Sequence, residues 1–158
     1  MERIIKGLKS FFNKIYTNEY IRVFGIVFIL GFIFFGTTAL GNGLTMSFGG
    51  DYELQTMAFY SDGYTKIWNF LKTGEFPMYD FSNAFGHDYL AGASFYYSSS
   101  PLFYLLLLVP QKFLFQGIYI LMLIKYAIGG TLFYVLLKKF YNYKNRTCLI
   151  GAIAYAFC

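Results

Sequence analysis

The chain is predicted to be an all-α integral membrane protein, on three observations. Hydrophobic residues fill 57% of the 158 positions and charged residues only 13%, where a water-soluble domain carries about a quarter charged residues. The apolar residues gather in long blocks, without the 3.6- or 2-residue periodicity that a soluble core requires. Basic residues collect at the outer ends of those blocks, and acids collect between them.

Residues 1–20 open with MERIIKGLKSFFNKIY, which sets Ile4, Ile5, Leu8, Phe11, Phe12 and Ile15 among lysines at helical spacing. That is the pattern of an amphipathic cytoplasmic leader lying in the membrane interface. Residues 21–40, IRVFGIVFILGFIFFGTTAL, supply the roughly 20 apolar residues of one bilayer crossing. The run is longer than the apolar part of a cleaved signal peptide and follows a basic leader, so it is expected to be retained as the first transmembrane helix. Pro101 to Val109 is too short to cross, at about 14 Å of helix. Pro110 breaks it, and residues 113–137 form the second transmembrane helix. After a loop at 138–146, a third apolar run occupies 147–158 and is cut off at Cys158, so the chain is expected to be the beginning of a larger protein. Cys148 and Cys158 have no metal-ligand spacing.

Charge orients the spans. Nine of the thirteen basic residues lie at 3–22 and 138–146, which topology puts on one side, and the positive-inside rule makes that side cytoplasmic. Six of the eight acids lie in the segment 41–112, which is therefore expected to face outward. The net charge of +5 does not indicate nucleic-acid binding, because the basic residues sit at membrane edges and form no folded basic face. The lipid bilayer accounts for them.

The outward segment begins near FGGDYELQ. From Tyr52 to Thr73 it reads as an amphipathic helix, with Asp51 as N-cap and Gly74 closing it. Leu54, Met57, Ala58, Tyr64, Ile67, Trp68 and Leu71 would form one broad apolar face on the outer leaflet. The following TGEFPMYDFSNAFGHDYLAGASFYYSSS reads as irregular chain, leading to a short helix from Pro101 to Val109 that dips into the membrane or packs along its surface.

The chemistry-bearing candidates are few. Gln55 lies four residues after Asp51, so a carboxylate and an amide share one helical face; such a carboxylate can take a proton from a hydroxyl. Capping alone is the competing account of Asp51. His87 and Asp88, with Asp51 and Asp80, offer oxygen and nitrogen ligands for a divalent cation or a substrate, against the simpler reading of a solvated loop. Lys125 lies mid-span, where a cation needs a polar cavity or partner; a lipid-borne phosphate is one such partner and a salt bridge is another. Asn145-Arg146-Thr147 fits a glycosylation sequon but would be cytoplasmic, and is taken as chance.

Together, Gly50-Asp51, Gln55, Gly74, Pro77, Tyr79, Phe85-Gly86, Tyr96-Tyr97 and Ser100-Pro101 resemble, in order and spacing, the start of the YfhO-like bacterial membrane proteins. The resemblance covers nearly the whole chain. It implies a GT-C-like N-terminal fragment, from a superfamily of many-span glycosyltransferases that move a sugar from a polyprenyl-phosphate carrier to an acceptor outside the membrane, such as a teichoic acid. It implies Asp51 as the catalytic acid of the first outer loop. Read from the residues themselves, Gln55, His87, Asp88 and Lys125 are the substrate-binding candidates, and no cofactor is expected, a divalent cation at His87 and Asp88 being the alternative. The resemblance further implies the bacterial cell membrane as location, and other membrane proteins of the pathway as partners. At this length the chain is expected to be inactive by itself. The competing function is a non-catalytic membrane subunit, a transporter piece or flippase partner. A transporter would place several polar groups within its spans, whereas here the polar residues gather between them.

Overall fold

The computed structural model describes residues 18–45, 50–76, 78–81 and 86–158. The leader at 1–17, together with Pro77 and Phe85 of the recurring pattern, lies outside the described residues. In chain order the helices are α1 (Glu19–Gly41), a π-helical turn (Tyr52–Met57) running into α2 (Ala58–Thr73), α3 (Tyr89–Ala93), a second π turn (Ser94–Ser98), a 3-10 helix (Pro101–Leu108), a 3-10 turn (Gln111–Phe113), α4 (Leu114–Lys139) and α5 (Asn145–Ala156). Two strands of two residues each, β1 (Tyr79–Asp80) and β2 (His87–Asp88), pair antiparallel with Tyr79 opposite Asp88. The all-helical expectation therefore holds apart from this one short ladder, which falls where irregular chain was expected.

Two segments, Glu19–Gly41 and Gln111–Lys139, are long and apolar enough to cross a membrane. At 1.5 Å per residue the first spans about 34 Å, enough for a hydrocarbon core of roughly 30 Å. Only 28% of the most apolar window in each is buried within the protein, whereas a soluble core helix would be mostly covered. Ile29, Ile33, Phe34, Leu40 and Leu132 accordingly stand exposed, as lipid-facing residues do. The boundaries run slightly beyond the expected 21–40 and 113–137, because Asn18 caps α1: its side-chain oxygen accepts hydrogen bonds from the Tyr20 and Ile21 N–H groups at 3.0 and 3.5 Å. Such a cap satisfies first-turn donors that the helix itself leaves open.

The chain divides into two compact units, one from residues up to 36 with 123–158, the other from 37–122. In the first, Val23, Val27, Ala127, Tyr134, Cys148, Ala152 and Ala156 form the core. A Cβ on Gly130 would lie 3.1 Å from the Ala152 carbonyl oxygen and 3.1 Å from Val27, so α4 and α5 approach as closely as small residues permit. Glu19 accepts hydrogen bonds from Lys138 and, at 3.2 Å, from Tyr134, joining α1 to α4.

The second unit is built around tyrosines. Tyr60, Tyr64, Ile67, Tyr89, Tyr97, Phe103 and Leu106 are all buried in its core. The Tyr97 hydroxyl donates to that of Tyr89 at 2.7 Å, and Tyr64 donates to the Val109 carbonyl at 2.8 Å. Val109 itself is extended, as a residue before proline must be, and the chain turns there into α4. The segment from Pro101 forms a 3-10 helix, and its Phe103 and Leu106 are buried in this unit's own core; these two side chains are not presented to lipid.

The expected helix over 52–73 is present, but the apolar face expected on the outer leaflet is turned outward only in part, Tyr64 and Ile67 being buried within the protein. Its buried residues are Tyr60, Gly63, Tyr64 and Ile67, while Leu54 and Leu71 of the expected apolar face are 77% and 58% exposed. A π turn, with i→i+5 bonding, occupies Tyr52–Met57 and shifts the angular phase of everything before Ala58 relative to α2. Gly63 lets that face approach closely: a Cβ there would fall 2.3 Å from a ring carbon of Tyr97, which would have to shift. Gly74 closes α2 as expected, in the left-handed conformation (φ 78°), its N–H bonded to the Phe70 carbonyl.

Candidate functional site

Asp51 is not an N-cap. Its backbone is already helical (φ −61°, ψ −27°) and its side chain makes no capping hydrogen bond, whereas a capping residue has extended dihedrals. The carboxylate is instead an acceptor for Gln55, whose Nε2 donates to Asp51 Oδ1 at 3.3 Å. The other end of the same amide is also held: Tyr96 Oη donates to Gln55 Oε1 at 3.2 Å, across 41 residues of sequence. An amide has one donor end and one acceptor end, and here a carboxylate faces the first and a phenol the second. The amide orientation is thereby fixed from both sides.

Each end of this chain rests on a rigid mount. Gln55 belongs to the first π turn and Tyr96 to the second; single π turns of this kind recur at functional sites. The Tyr96 ring lies flat on Phe59, centroids 3.9 Å apart and planes 16° from parallel. Its neighbour Tyr97 points the other way into the core, beside Tyr60, Tyr89 and Phe103. Burial pushes the Tyr89 hydroxyl above the ordinary tyrosine range, so it remains a neutral acceptor for Tyr97. The adjacent pair thus divides its labour, one ring reaching the polar site and one anchoring it. Asp51 is exposed and Gln55 half-buried, which leaves a carboxylate open to a bound reactant and an amide steady behind it.

A shallow groove of about 610 Å³ lies along the start of α2, lined by Met57, Ala58, Ser61, Asp62, Thr65 and Phe115. Asp62 pairs there with Lys66 at 2.7 Å. The remaining candidates are placed elsewhere. Asp88 Oδ1 accepts from the Ala91 N–H at 2.8 Å, so Asp88 caps α3. His87 enters the short ladder opposite Asp80, and the side chains of His87 and Asp80 lie outside the described residues. Among the described residues no group of three His, Cys, Asp or Glu side chains is positioned to hold a metal ion. Lys125 is half-buried near the middle of α4, in the unit that does not contain Asp51. Sequence reasoning missed Tyr96 as a member of the site. The available signal was its place in the Tyr96-Tyr97 pair of the recurring pattern.

These features describe a helical protein with two helices long and apolar enough to cross a membrane and, on the segment between them, a hydrogen-bonded acid–amide–phenol cluster. The chain belongs to the YfhO family: the family model described as bacterial membrane protein YfhO matches residues 23–158, from the first span through α5. No curated protein and no solved structure matches it.

Proposed function

We propose that Asp51 is the catalytic base of an extracytoplasmic glycosyl transfer, in which a sugar passes from a polyprenyl-phosphate carrier to an envelope acceptor such as a teichoic acid. The acceptor hydroxyl gives its proton to the Asp51 carboxylate as its oxygen attacks the anomeric carbon. The bond from that carbon to the carrier's phosphate oxygen breaks, and the phosphate leaves with the electron pair. Gln55 orients the carboxylate, and Tyr96 orients Gln55. The observation that carries this reading is the Tyr96–Gln55–Asp51 hydrogen-bond chain: a carboxylate that served only to begin a helix would have no need of an amide held at both ends.

The orientation that goes with this reading puts the N-terminus in the cytoplasm and the segment between the spans outside, by the positive-inside rule. A cysteine at Glu75 should react with a membrane-impermeant thiol reagent in intact cells, and one at Asn142 should not. Labelling at Asn142 alone would put Asp51 on the wrong side for such a donor.

The decisive variant is Asp51→Asn in the full-length protein. Asparagine's amide oxygen still accepts the Gln55 N–H, so the local geometry survives, but it cannot act as a base. Loss of a general base costs roughly a hundredfold to ten-thousandfold in rate. Membrane abundance is expected to be unchanged and sugar transfer to fall by at least about a hundredfold; normal transfer would return Asp51 to a structural role.

A further inference from the structure

Within the unit of residues up to 36 with 123–158, among the first turns of α1, the end of α4 and the start of α5, a cavity of about 210 Å³ is lined by Glu19, Arg22, Val23, Ile26, Tyr134, Asn145, Arg146 and Leu149. We infer that this cavity binds the phosphate of an anionic phospholipid. The inference is independent of sugar transfer and rests on where the cavity lies, how it is charged and what its walls are made of.

Its position is a membrane boundary. Glu19 and Arg22 begin one candidate span, Lys138 ends the other, and Asn145 begins α5. Its charge is not balanced internally. The single carboxylate, Glu19, already accepts from Lys138 and Tyr134, and among the described residues no ion pair engages Arg22 or Arg146. Both arginines are exposed, and guanidinium is the side chain best shaped for bidentate contact with phosphate oxygens. The first turn of α5 adds to the same potential, because Lys144 at its cap position offers no side-chain acceptor and the open N–H groups favour an anion.

The walls select the source of the phosphate. Val23, Ile26 and Leu149 are apolar and lie within the first two turns of helices that continue into the apolar core of the protein. A free anion gains nothing from them, whereas a lipid lays its glycerol and upper chains along such a surface. A volume near 210 Å³ is below the roughly 300–1,000 Å³ of clefts that enclose a whole small-molecule ligand, which suits a headgroup whose chains stay outside. Basic pockets between transmembrane helices at the cytoplasmic side are a recurring form of such recognition.

The test uses the full-length protein in neutral detergent micelles, titrated with phosphatidylglycerol, phosphatidylcholine or inorganic phosphate, with bound lipid read by native mass spectrometry and protection read by the thermal midpoint. Phosphatidylglycerol is expected to bind and protect, and phosphatidylcholine and inorganic phosphate are not. Arg22→Gln with Arg146→Gln should weaken phosphatidylglycerol binding about tenfold or more. Leu149→Trp, which keeps both charges and fills the cavity, should do the same; this separates a built site from diffuse attraction to a basic surface. Equal protection by inorganic phosphate would overturn the lipid assignment, and equal binding of phosphatidylcholine would overturn the charge argument. Undiminished binding by the tryptophan variant would overturn the cavity.

Discussion

The core formed by Val23, Val27, Ala127, Cys148, Ala152 and Ala156 holds one large aromatic, Tyr134, while the core within residues 37–122 holds Tyr60, Tyr64, Tyr89, Tyr97 and Phe103. The difference follows from what drives each to pack. Between helices in lipid there is no hydrophobic push, since the surrounding chains are as apolar as the side chains, so stability comes from close approach over small residues. In the tyrosine-rich unit, large rings supply the contact area, but every buried hydroxyl then needs a partner. Tyr97 finds Tyr89, and Tyr64 finds the Val109 carbonyl. The first core relies mainly on close approach over small residues, with its one buried tyrosine hydroxyl donating to Glu19, while the second relies on large rings tied together by hydrogen bonds and also carries the Tyr96–Gln55–Asp51 chain.

The sharpest way to break the comparison is to add one methyl group to each core. At Gly63 a Cβ would meet three ring carbons of Tyr97 at 2.3, 2.5 and 2.9 Å, and that ring is 1% exposed and tied through its hydroxyl. Overpacking of this kind costs about 1–3 kcal/mol, and it pushes on the residue next to Tyr96. Gly63→Ala should therefore lower the thermal midpoint and reduce transfer together. At Gly130 the nearest contacts are 3.1 Å, so a few tenths of an ångström would accommodate the methyl, and alanine recovers about 1 kcal/mol of helix propensity. Gly130→Ala is expected to be near neutral in the same assay. A larger loss at Gly130 than at Gly63 would reverse the account of the two cores.

A smaller effect is expected from Tyr96→Phe, which keeps the ring on Phe59 and removes only the hydroxyl that holds Gln55. A hydrogen bond of this kind contributes about 0.5–1.5 kcal/mol, so the rate of transfer should fall by less than about tenfold with the thermal midpoint unchanged. If Asp51→Asn abolishes transfer while Tyr96→Phe leaves it untouched, the carboxylate acts without its amide being positioned from the far side, and the two π turns need not meet for catalysis.

Much of the fold was legible because hydropathy and local capping are properties of consecutive residues. The two spans could be read from length and apolar content, the break from Pro110, and the end of α2 from Gly74, since each depends on a few neighbours in the chain. The Asp51–Gln55 hydrogen bond was legible for the same reason, being four residues long. Asp51 as an N-cap was misread because Asp followed by a helical pattern matches a cap in the sequence, while the residue with non-helical dihedrals at this helix start is Gly50, in the left-handed region (φ 62°), and Asp51 is already helical. The short ladder and α3 were hidden in a stretch rich in Gly, Ser, Asn and Asp, whose local preferences favour irregular chain until Tyr89 and Ala93 find the tyrosine core.

The sequence by itself determined that this chain lives in a membrane, where its spans begin and end to within a few residues, and that a carboxylate and an amide share a helix between them. Those are consequences of solvation and of the helical repeat, which act over one segment at a time. Only the tertiary structure decided that Tyr96 holds the Gln55 amide, that Asp88 caps a helix, that Gly63 lies against the Tyr97 ring, and that Arg22 and Arg146 line one cavity. Each of these joins residues distant in the chain or depends on how one segment packs against another, and its energy comes from contacts that exist only once the segments have packed.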